Sequence, residues 1–465
     1  MTSTAEPTLA SLRAQLTGSL LTLGDAGYDV ARSVWNGEID RRPAVVVQPA
    51  GPGDVAAALA YARAAALDVS VRGGGHNFGG TAVVDGGVCI DLSSLQAISV
   101  DPESRTARVG GGATWAQVDA AAQEHGLAVP GGTISHTGVG GLTLGGGFGW
   151  LTGKHGLSCD NLLSAEVVTA DGEVLRASAD EHPDLFWALR GGGGNFGVVT
   201  EFEFRLHPVG PLVHLGMFFW AAEDGAAALR HIREVLETLP AELGTLVAGL
   251  NAPPAPFVPE AHHFRPGYAL IIAGFAGEEQ HAEAIRPARS GPAPLFEFVS
   301  PIPYVELQRM IDDSAPWGIL GYEKAVYADG FTDEVIDVIA DFLPRKTSPM
   351  SIMPIFPMRG AYHAVGDEAT AFGGARRPGL VIGISAIAPE PELFAADRAW
   401  VREFWAALAP LADNSGGYVN FMAEYEADRV RTSYGPAKYE RLARIKAQYD
   451  PRNVFHHNAN IPPAG

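Results

Sequence analysis

Ten residues set the architecture of the N-terminal half of this chain: Val71-Arg72-Gly73-Gly74-Gly75-His76-Asn77-Phe78-Gly79-Gly80. The β-rich run 69–72 predicts a short strand that ends abruptly in three glycines. Consecutive glycines expose several backbone N–H groups without a Cβ in the way, and such a concave array can seat a phosphate group. Taken by itself, the pattern is also compatible with a tight loop that binds no ligand.

The same ten residues do not match the Rossmann dinucleotide-binding fingerprint. That fingerprint needs Gly-x-Gly-x-x-Gly at the start of a helix, with an acidic residue about 20 positions later. Here the three glycines are soon followed by Asn77-Phe78-Gly79-Gly80, which are poor helix formers. The loop therefore predicts a phosphate site of a different kind.

Strands and helices alternate on both sides of this loop. The segments 43–48, 55–67 and 69–72 predict a strand–helix–strand unit, and a short helix over about 10–23 precedes it. Further strands are predicted at 87–92, 95–100, 106–109, 162–169 and 198–207, and helices at 114–125 and 184–190.

Two more glycine-rich runs lie within the first 200 residues. The run Thr137–Trp150 holds six glycines among residues 138–147, and Gly191–Gly194 is an unbroken run of four. Each run alone is equally compatible with a loop packed against another backbone. Together with the first loop they favour one extended groove in which backbone lies against a flat ligand.

A second lobe is predicted after Pro208 and Pro211, where β-rich runs alternate with amphipathic helices. Many long strands with a few helices indicate the α+β fold class, with an open antiparallel sheet covered by helices on one face. The proline-rich segments 253–259 and 292–301 are interpreted as loops. Strands are predicted at 213–220, 244–250, 268–275, 351–356 and 380–387, and helices at 226–239, 304–310, 332–342, 392–411 and, in the tail, 437–449.

Composition excludes several classes of protein. The 465 residues exceed a single hydrophobic core, and a formal net charge of −20 argues against a nucleic-acid partner. Two cysteines cannot form a disulfide framework for a chain of this length. Because we find neither a signal peptide nor an apolar run long enough to cross a membrane, we expect a cytoplasmic protein without a membrane partner.

Several motifs resemble, in the same order, those of the berberine bridge enzyme-like family, FAD-linked oxidases of the vanillyl-alcohol-oxidase superfamily, in its bacterial type. They are Arg72-Gly-Gly-Gly-His76, Thr137–Trp150, Gly153–Asn161, Leu189–Thr200 and Tyr434–Phe455. The resemblance covers about residues 40–210 and 416–463, whereas the middle lobe matches only in general layout. It implies an N-terminal helical extension (1–38), a PCMH-type FAD-binding domain (39–210), a substrate-binding domain (211–415) and a C-terminal segment (416–465) that returns to the FAD-binding domain.

The resemblance also implies how FAD is held. Family members often bind it bicovalently, and His76 and Cys159 stand at the positions for the 8α-histidyl and 6-S-cysteinyl bonds. Neutral imidazole and thiolate are good nucleophiles near neutral pH. By the same carry-over, the remaining FAD contacts are expected at Arg72, Gly73, Gly74, Gly75, Asn77, Gly79, Gly80, Thr133, Ser135, Thr137, Gly138, Gly141, Leu142, Asn161, Gly197, Val199, Asn420 and Asn458.

The catalytic base departs from the family pattern. Many relatives carry Tyr-x-Asn-Tyr with the second tyrosine as base, but this chain has Phe421 in Tyr418-Val419-Asn420-Phe421. A family segment resembling Phe-Pro-His-Arg is also replaced, here by 372–376. The alternative candidates for the base are Tyr418, Tyr362, His363 and Tyr322.

The predicted reaction transfers a hydride from a carbon of a small-molecule substrate to the flavin, which O₂ then reoxidises with formation of H₂O₂. Alcohols, sugars, phenolic compounds and other secondary metabolites are the substrate classes considered. A flavin dehydrogenase with another electron acceptor, or a flavin- or ligand-binding protein without turnover, are the alternatives. The pairs His262-His263 and His456-His457 lack a third ligand at recognisable spacing, so no metal site is expected.

Overall fold

The computed structural model describes residues 8–413 and 416–465. The first seven residues of the predicted N-terminal extension lie outside this range, as do residues 414 and 415 at the end of the predicted substrate-binding domain. The described residues form three main sheets with helices packed against them, so the α+β prediction is confirmed. The boundaries of the four segments stay a prediction.

The first sheet has the order β1-β2-β4-β3, and its parallel core confirms the predicted strand–helix–strand unit. Buried valines of β2 and β4 pack against α3, which gives this region its own core. The predicted helix over 10–23 is wrong in its second half, because Ser19–Leu21 pairs antiparallel with β2. The elements are α1 (Leu9–Gln15), β1 (Ser19–Leu21), α2 (Tyr28–Arg32), β2 (Val45–Gln48), α3 (Pro52–Ala65), β3 (Val69–Arg72) and β4 (Val88–Asp91).

The second sheet is antiparallel, with the order β5-β6-β10-β8-β9. Helices α4 and α7 contribute to the core on which it packs. A short two-stranded pairing of β7 with β11 lies beside it. The elements are β5 (Ile98–Asp101), β6 (Thr106–Gly110), α4 (Trp115–Gln123), β7 (Leu127–Ala128), α5 (Val139–Leu144), α6 (Thr152–His155), β8 (Leu162–Val168), β9 (Val174–Ser178), α7 (Pro183–Leu189), β10 (Val198–Arg205) and β11 (His207–Pro208).

The third sheet has seven antiparallel strands in the order β15-β12-β14-β13-β17-β18-β16. One face is covered by α8, α11 and α12, and the other faces the glycine-rich loops. The elements are β12 (Leu212–Ala221), α8 (Gly225–Thr238), β13 (Gly244–Asn251), β14 (Pro266–Gly274), α9 (Glu278–Ile285), β15 (Phe296–Pro303), α10 (Tyr304–Arg309), β16 (Leu320–Ala328), α11 (Asp333–Phe342), β17 (Met353–Met358), β18 (Gly379–Ala388) and α12 (Pro391–Leu408).

Two strands of this sheet differ from the sequence prediction. Strand β15 begins inside the proline-rich segment 292–301 that was interpreted as a loop. It tolerates Pro301 and Pro303 because it lies at the edge of the sheet, beside β12. Strand β16, at the opposite edge, was not predicted at all. The interpretation of 253–259 as a loop is confirmed.

The tail returns to the N-terminal half through α13 (Ala427–Tyr449), which is interrupted at Gly435 by a left-handed φ of 69°. Buried Lys446 near its end donates to Asp450 and to the carbonyl oxygens of Asn195 and Phe455, which fixes the last segment on the third glycine run. Among the described residues, no helix is both long and apolar enough to cross a membrane.

Candidate cofactor-binding and active site

The first two glycine-rich loops touch backbone to backbone. A methyl group on Gly74 would lie 2.3 Å from the nitrogen of Gly138, so neither position accepts a side chain. The carbonyl oxygen of Gly111 lies on the same side, 3.2 Å from where a Cβ of Gly140 would stand. Gly111 belongs to a further glycine triplet, 110–112, which the sequence analysis did not single out although it is visible in the sequence.

One side of this contact is open and the other is closed by the tail. Gly141 is exposed, and no atom lies within 4 Å of where its Cβ would stand. On the closed side, Nδ2 of Asn77 donates to the Tyr425 hydroxyl at 2.5 Å. The carbonyl oxygen of Ala423 lies 2.7 Å from a Cβ on Gly79. The loops and the tail therefore form a cradle of backbone with an open face.

His76 directly follows the three glycines of the first loop, and aromatic side chains surround it. Its Nε2 is 2.7 Å from Nδ1 of His136, and its ring stacks on Trp35 with centroids 5.6 Å apart. Trp317 contacts it edge-on. Burial, followed by the charges of His136 and Arg72, lowers the pKa of His76 to about 3, so the ring is neutral at physiological pH.

Cys159 lies in a short 3₁₀ turn, Ser158–Asn161, and is fully buried. Its backbone N–H donates to the carbonyl oxygen of Gly146, which holds the turn against the second glycine run. Burial, and then the neighbouring Asp160 carboxylate, raise the pKa of the thiol. The thiol form is therefore favoured at neutral pH, in contrast to the expectation of a thiolate.

A buried ion pair stands beside this cysteine. Asp160 binds Arg376 at 2.7 Å, and the two side chains are 5% and 1% exposed. Arg376 comes from the segment that replaces the family's Phe-Pro-His-Arg-like motif. The ion pair joins the turn that carries Cys159 to the segment between β17 and β18 of the third sheet. Sequence reasoning did not assign it a function.

Tyr418 belongs to the tail, and its side chain contacts the glycine-rich cradle. Its hydroxyl oxygen accepts hydrogen bonds from the N–H of Gly147 at 3.0 Å and from Nδ2 of Asn420 at 2.8 Å. Burial raises the pKa of this phenol, although both hydrogen bonds oppose the shift. Among the four candidates for the base, Tyr418 is bonded directly to a predicted cofactor-binding residue, Asn420.

The other three candidates are placed elsewhere. Tyr322 belongs to the core under α8, α11 and α12, and its hydroxyl pairs with Glu424 and Arg402. Tyr362 is buried, and its hydroxyl donates to the carbonyl oxygen of Ala375. His363 is exposed. Hydrogen bonds thus commit the hydroxyl groups of Tyr322 and Tyr362 to protein partners, whereas His363 lies at the surface.

Phe421 completes an aromatic cluster where the family tyrosine would stand. Its ring contacts Phe148 at 5.5 Å, Phe356 at 6.1 Å and Tyr418 at 5.0 Å between centroids. Phe148 also packs against Phe356 and Tyr418. The tail, the second glycine run and the third sheet meet in this cluster.

Several predicted cofactor contacts have their polar atoms occupied by protein. Both amide hydrogens of Asn161 bind backbone carbonyl oxygens, and its Oδ1 is 2.7 Å from His207 Nε2. The N–H and hydroxyl of Ser135 donate to Asp312. Arg72 pairs with buried Asp91 at 2.8 Å. These side chains order the loops in this structure, and their contact with FAD stays a prediction.

The remaining predicted contacts are mainly backbone. Gly197 has a φ of 156° and packs against Val167, and Val199 is buried within β10. Thr133 and Thr137 are half-buried next to the cradle. Of the other predicted glycines, Gly73 is half-buried, and Gly75 and Gly80 are buried. The carbonyl oxygen of Leu142 accepts a hydrogen bond from Asn420.

A buried carboxyl group that sequence reasoning missed faces the same region. Glu323 and Tyr327 share a face of β16, opposite to Tyr322, and Tyr327 belongs to the core cluster of Phe148 and Tyr418. Oε1 of Glu323 accepts from the Ser385 hydroxyl at 2.7 Å. Oε2 is buried with no hydrogen-bond partner in the described part of the chain. Burial raises the pKa of Glu323 to about 8.

The residues of the cradle fit FAD. Gly141 leaves open space beside the backbone contact of Gly74 with Gly138, as a flat ligand requires. At the third glycine run, Nδ2 of Asn458 donates to the carbonyl oxygen of Gly194. Oδ1 of Asn458 and of Asn460 are buried without a partner among the described residues, so acceptors are left for a ligand.

Comparison with known proteins agrees with this geometry. The FAD binding domain family matches residues 43–178, and the berberine and berberine-like family matches residues 417–462. The (R)-6-hydroxynicotine oxidase of Paenarthrobacter nicotinovorans is 31% identical over 469 residues, which cover 96% of this chain and 97% of that protein.

Solved structures support the same relation. The crystal structure of 6-hydroxy-D-nicotine oxidase from Arthrobacter nicotinovorans has a TM-score of 0.85 at 29% identity and covers 97% of this chain and 98% of that one. Glucooligosaccharide oxidase from Acremonium strictum, described with a 6-S-cysteinyl, 8α-N1-histidyl FAD, shares the fold at a TM-score of 0.84 and 24% identity. That likeness covers 98% of this chain and 100% of the other.

The fold and the cradle thus define an FAD-dependent oxidoreductase with a PCMH-type FAD-binding domain. More narrowly, the chain belongs to the berberine bridge enzyme-like family of FAD-linked oxidoreductases.

Proposed function

We propose that this protein is an oxidase in which FAD is bound covalently to both His76 and Cys159. The observation that carries the proposal is that both residues contact the same part of the chain, the glycine run 137–150 and the residue before it. Nε2 of His76 is 2.7 Å from Nδ1 of His136, which directly precedes the run, and the backbone N–H of Cys159 donates to the carbonyl oxygen of Gly146 within it. The bound flavin would supply the redox chemistry, taking a hydride from a substrate carbon and passing two electrons to O₂, which leaves as H₂O₂.

The protein's own contribution to this reaction includes a proton acceptor. Oxidation of an alcohol or amine removes a proton together with the hydride. We assign that proton to Glu323, because its unpartnered Oε2 and its pKa of about 8 suit a base that works near neutral pH. Tyr418, whose pKa is raised by burial, would orient the Gly147 backbone and Asn420.

The aromatic cluster supports a substrate class. Phe148, Phe356 and Phe421 offer ring faces and no hydrogen-bonding groups. Each hydroxyl of a buried sugar would need a partner, and an unpaired polar group costs free energy on burial. An aromatic or heteroaromatic alcohol, phenol or amine is therefore favoured over an oligosaccharide.

A spectrum and a substrate panel test the proposal. The purified protein should be yellow, and after acid precipitation the flavin should stay with the polypeptide. In His76→Ala/Cys159→Ser it should be released. An anaerobic panel of aromatic alcohols, phenols, cyclic amines and oligosaccharides identifies the donor by bleaching of the flavin.

Each outcome of the panel has a defined meaning. Bleaching followed by rapid recovery in air with one H₂O₂ per turnover supports the oxidase. Bleaching with slow recovery in air indicates a dehydrogenase that uses another acceptor. Bleaching by oligosaccharides alone contradicts the proposed substrate class, and release of all flavin in acid contradicts the double linkage.

A further inference from the structure

Two neighbouring histidines near the C-terminus lie against a carboxylate from the N-terminal sheet. Nε2 of His457 is 3.3 Å from Oδ2 of Asp68, and Nε2 of His456 is 3.8 Å from Oδ1. All three groups offer ligand atoms within 4.8 Å of one another. The sequence predicted no metal site because the histidine pair lacked a third ligand. The fold supplies that ligand from the loop between α3 and β3.

His456 is oriented as a metal ligand would be. Its Nδ1 lies 2.8 Å from the carbonyl oxygen of Asn453, so Nδ1 carries the proton and donates it. Nε2 therefore presents its lone pair on the side of Asp68. A hydrogen bond from the other ring nitrogen to a backbone carbonyl oxygen is the usual way in which the orientation of a metal-binding histidine is fixed.

Nε2 of His457 lacks a hydrogen-bond partner among the described residues. This nitrogen is buried, and Asp68 lies close to it. A cation between the three groups would satisfy the bare nitrogen.

The backbone holding these side chains is well fixed. Asp450 accepts hydrogen bonds from the N–H groups of Val454 and Phe455, which orders the turn before the histidines. On the other side, the carbonyl oxygen of Asp68 accepts from the N–H of Val88 at the start of β4. The site is thus presented by two anchored segments that are distant in the sequence.

A positively charged side chain near the site is directed elsewhere. The charge of the Arg41 guanidinium acts on His457. The guanidinium donates hydrogen bonds to the carbonyl oxygens of Gly79, Gly80 and Val83. Because it is held on that loop, Arg41 weakens cation binding here but does not occupy the site.

We propose that Asp68, His456 and His457 bind one Zn²⁺ ion, with water completing a tetrahedral shell. At Zn–N and Zn–O distances of about 2.0–2.1 Å, ligand atoms in such a shell lie roughly 3.3 Å apart. His457 Nε2 and Asp68 Oδ2 already have this spacing at 3.3 Å, all three ligand atoms lie within 4.8 Å of one another, and the exposed Asp68 side chain can rotate toward His456. The ion would tie the tail to the loop before β3, independently of flavin chemistry.

Zinc titration of the untagged holoprotein tests this site. After treatment with EDTA and dialysis, isothermal titration with ZnCl₂ at pH 7.5 should give one site per chain. Asp68→Asn should weaken the affinity by about tenfold or more, since an amide replaces an anionic ligand. His457→Gln should abolish the site. His262→Gln, from the other adjacent histidine pair, is the matched control and should bind zinc as the wild type does.

A second readout separates ligation from a structural effect. Zinc should raise the melting temperature of the wild type and of His262→Gln, but not that of Asp68→Asn. Zinc-edge X-ray absorption should show two imidazoles at about 2.0 Å. Because Asp68 is exposed, its variant is expected to fold and decides the test if His457→Gln does not. No binding, or equal binding by wild type and Asp68→Asn, would overturn the proposal.

Discussion

Nε2 of His76 and Nδ1 of His136 lie 2.7 Å apart, so one proton joins the two rings. When Nε2–H of His76 donates to His136, Nδ1 of His76 keeps its lone pair and can act as a nucleophile. The low pKa of His76 makes the neutral ring dominant at physiological pH. Cys159 differs, because burial and Asp160 raise the pKa of its thiol and disfavour the thiolate that would attack.

The two linkages should therefore respond differently to pH. In flavin-free protein reconstituted with FAD, attachment at His76 should be independent of pH between about 6 and 9, well above its pKa of about 3. Attachment at Cys159 should increase with pH, because each unit of pH multiplies the thiolate fraction by about ten below the thiol pKa. Mass spectrometry of the flavin-bearing peptides measures both yields.

Two single variants serve as controls for this experiment. Cys159→Ser should keep the pH-independent attachment, and His76→Ala should keep only the pH-dependent one. Equal pH dependence at both positions would contradict the assignment of the two nucleophiles.

Asp160→Asn should destabilise the protein strongly. The substitution leaves the Arg376 guanidinium, which is 1% exposed as a side chain, without its buried counter-charge. Breaking a buried pair in this way costs about 3–5 kcal/mol. Calorimetry should show a melting temperature several degrees lower than that of the wild type.

The exposed pair of Arg286 and Glu283 gives the comparison for that variant. Glu283→Gln should leave the melting temperature unchanged, since exposed ion pairs contribute little. An unchanged melting temperature for Asp160→Asn would mean that the buried pair is not maintained in solution.

Glu323→Gln should lower kcat by about 10²–10⁴-fold while leaving flavin content intact, because it removes the proposed proton acceptor. A base acts in its ionised form, so kcat/KM of the wild type should rise with pH and level off above about 8. The variant should lack this rise. Stopped-flow reduction of the flavin at varied pH measures it directly.

Ser385→Ala is the matched variant for the pH profile. The Ser385 hydroxyl lowers the pKa of Glu323 by donating to Oε1, so its removal should move the rise to higher pH. A wild-type profile that stays flat, or one that Ser385→Ala leaves in place, would remove Glu323 from the reaction.

Tyr418→Phe should reduce stability and flavin incorporation more than turnover per bound flavin. The change deprives the Gly147 N–H and Asn420 Nδ2 of a shared acceptor, at a cost of about 1–3 kcal/mol for each unpaired donor. The absorbance ratio of flavin to protein and the melting temperature report it. Tyr61→Phe on α3 is the control, and a loss of turnover at full flavin content would instead favour Tyr418 as the base.

Local signals predicted the N-terminal fold closely. Strand β3 coincides with the predicted 69–72, and β2 and β4 lie within the predicted segments, because each is a short β-rich run bounded by glycine or a helix start. The helix over 10–23 failed at Ser19–Leu21, where pairing with β2 outweighed the helical pattern. The sequence did not predict β15 because proline cannot donate a backbone hydrogen bond. The strand forms nevertheless, since it lies at the edge of the sheet.

The candidate site was predictable only in part. His76 and Cys159 follow from motifs contiguous in the sequence, and so do the glycine runs. Glu323 carries no motif, and its importance depends on which face of β16 it occupies. That Tyr418 contacts the cradle, whereas Tyr322 pairs with Glu424, likewise depends on burial and on hydrogen-bond partners far away in the chain.

The sequence by itself determined the glycine-rich cradle and its two tethering candidates, because a missing Cβ and a reactive side chain are properties of single residues in a local pattern. Only the tertiary structure decided which charges stand together: Arg376 beside Asp160, Ser385 on Glu323, and Asp68 against His456 and His457. Such contacts arise from sheet register and from the return of the tail, and these are settled by packing over the whole chain.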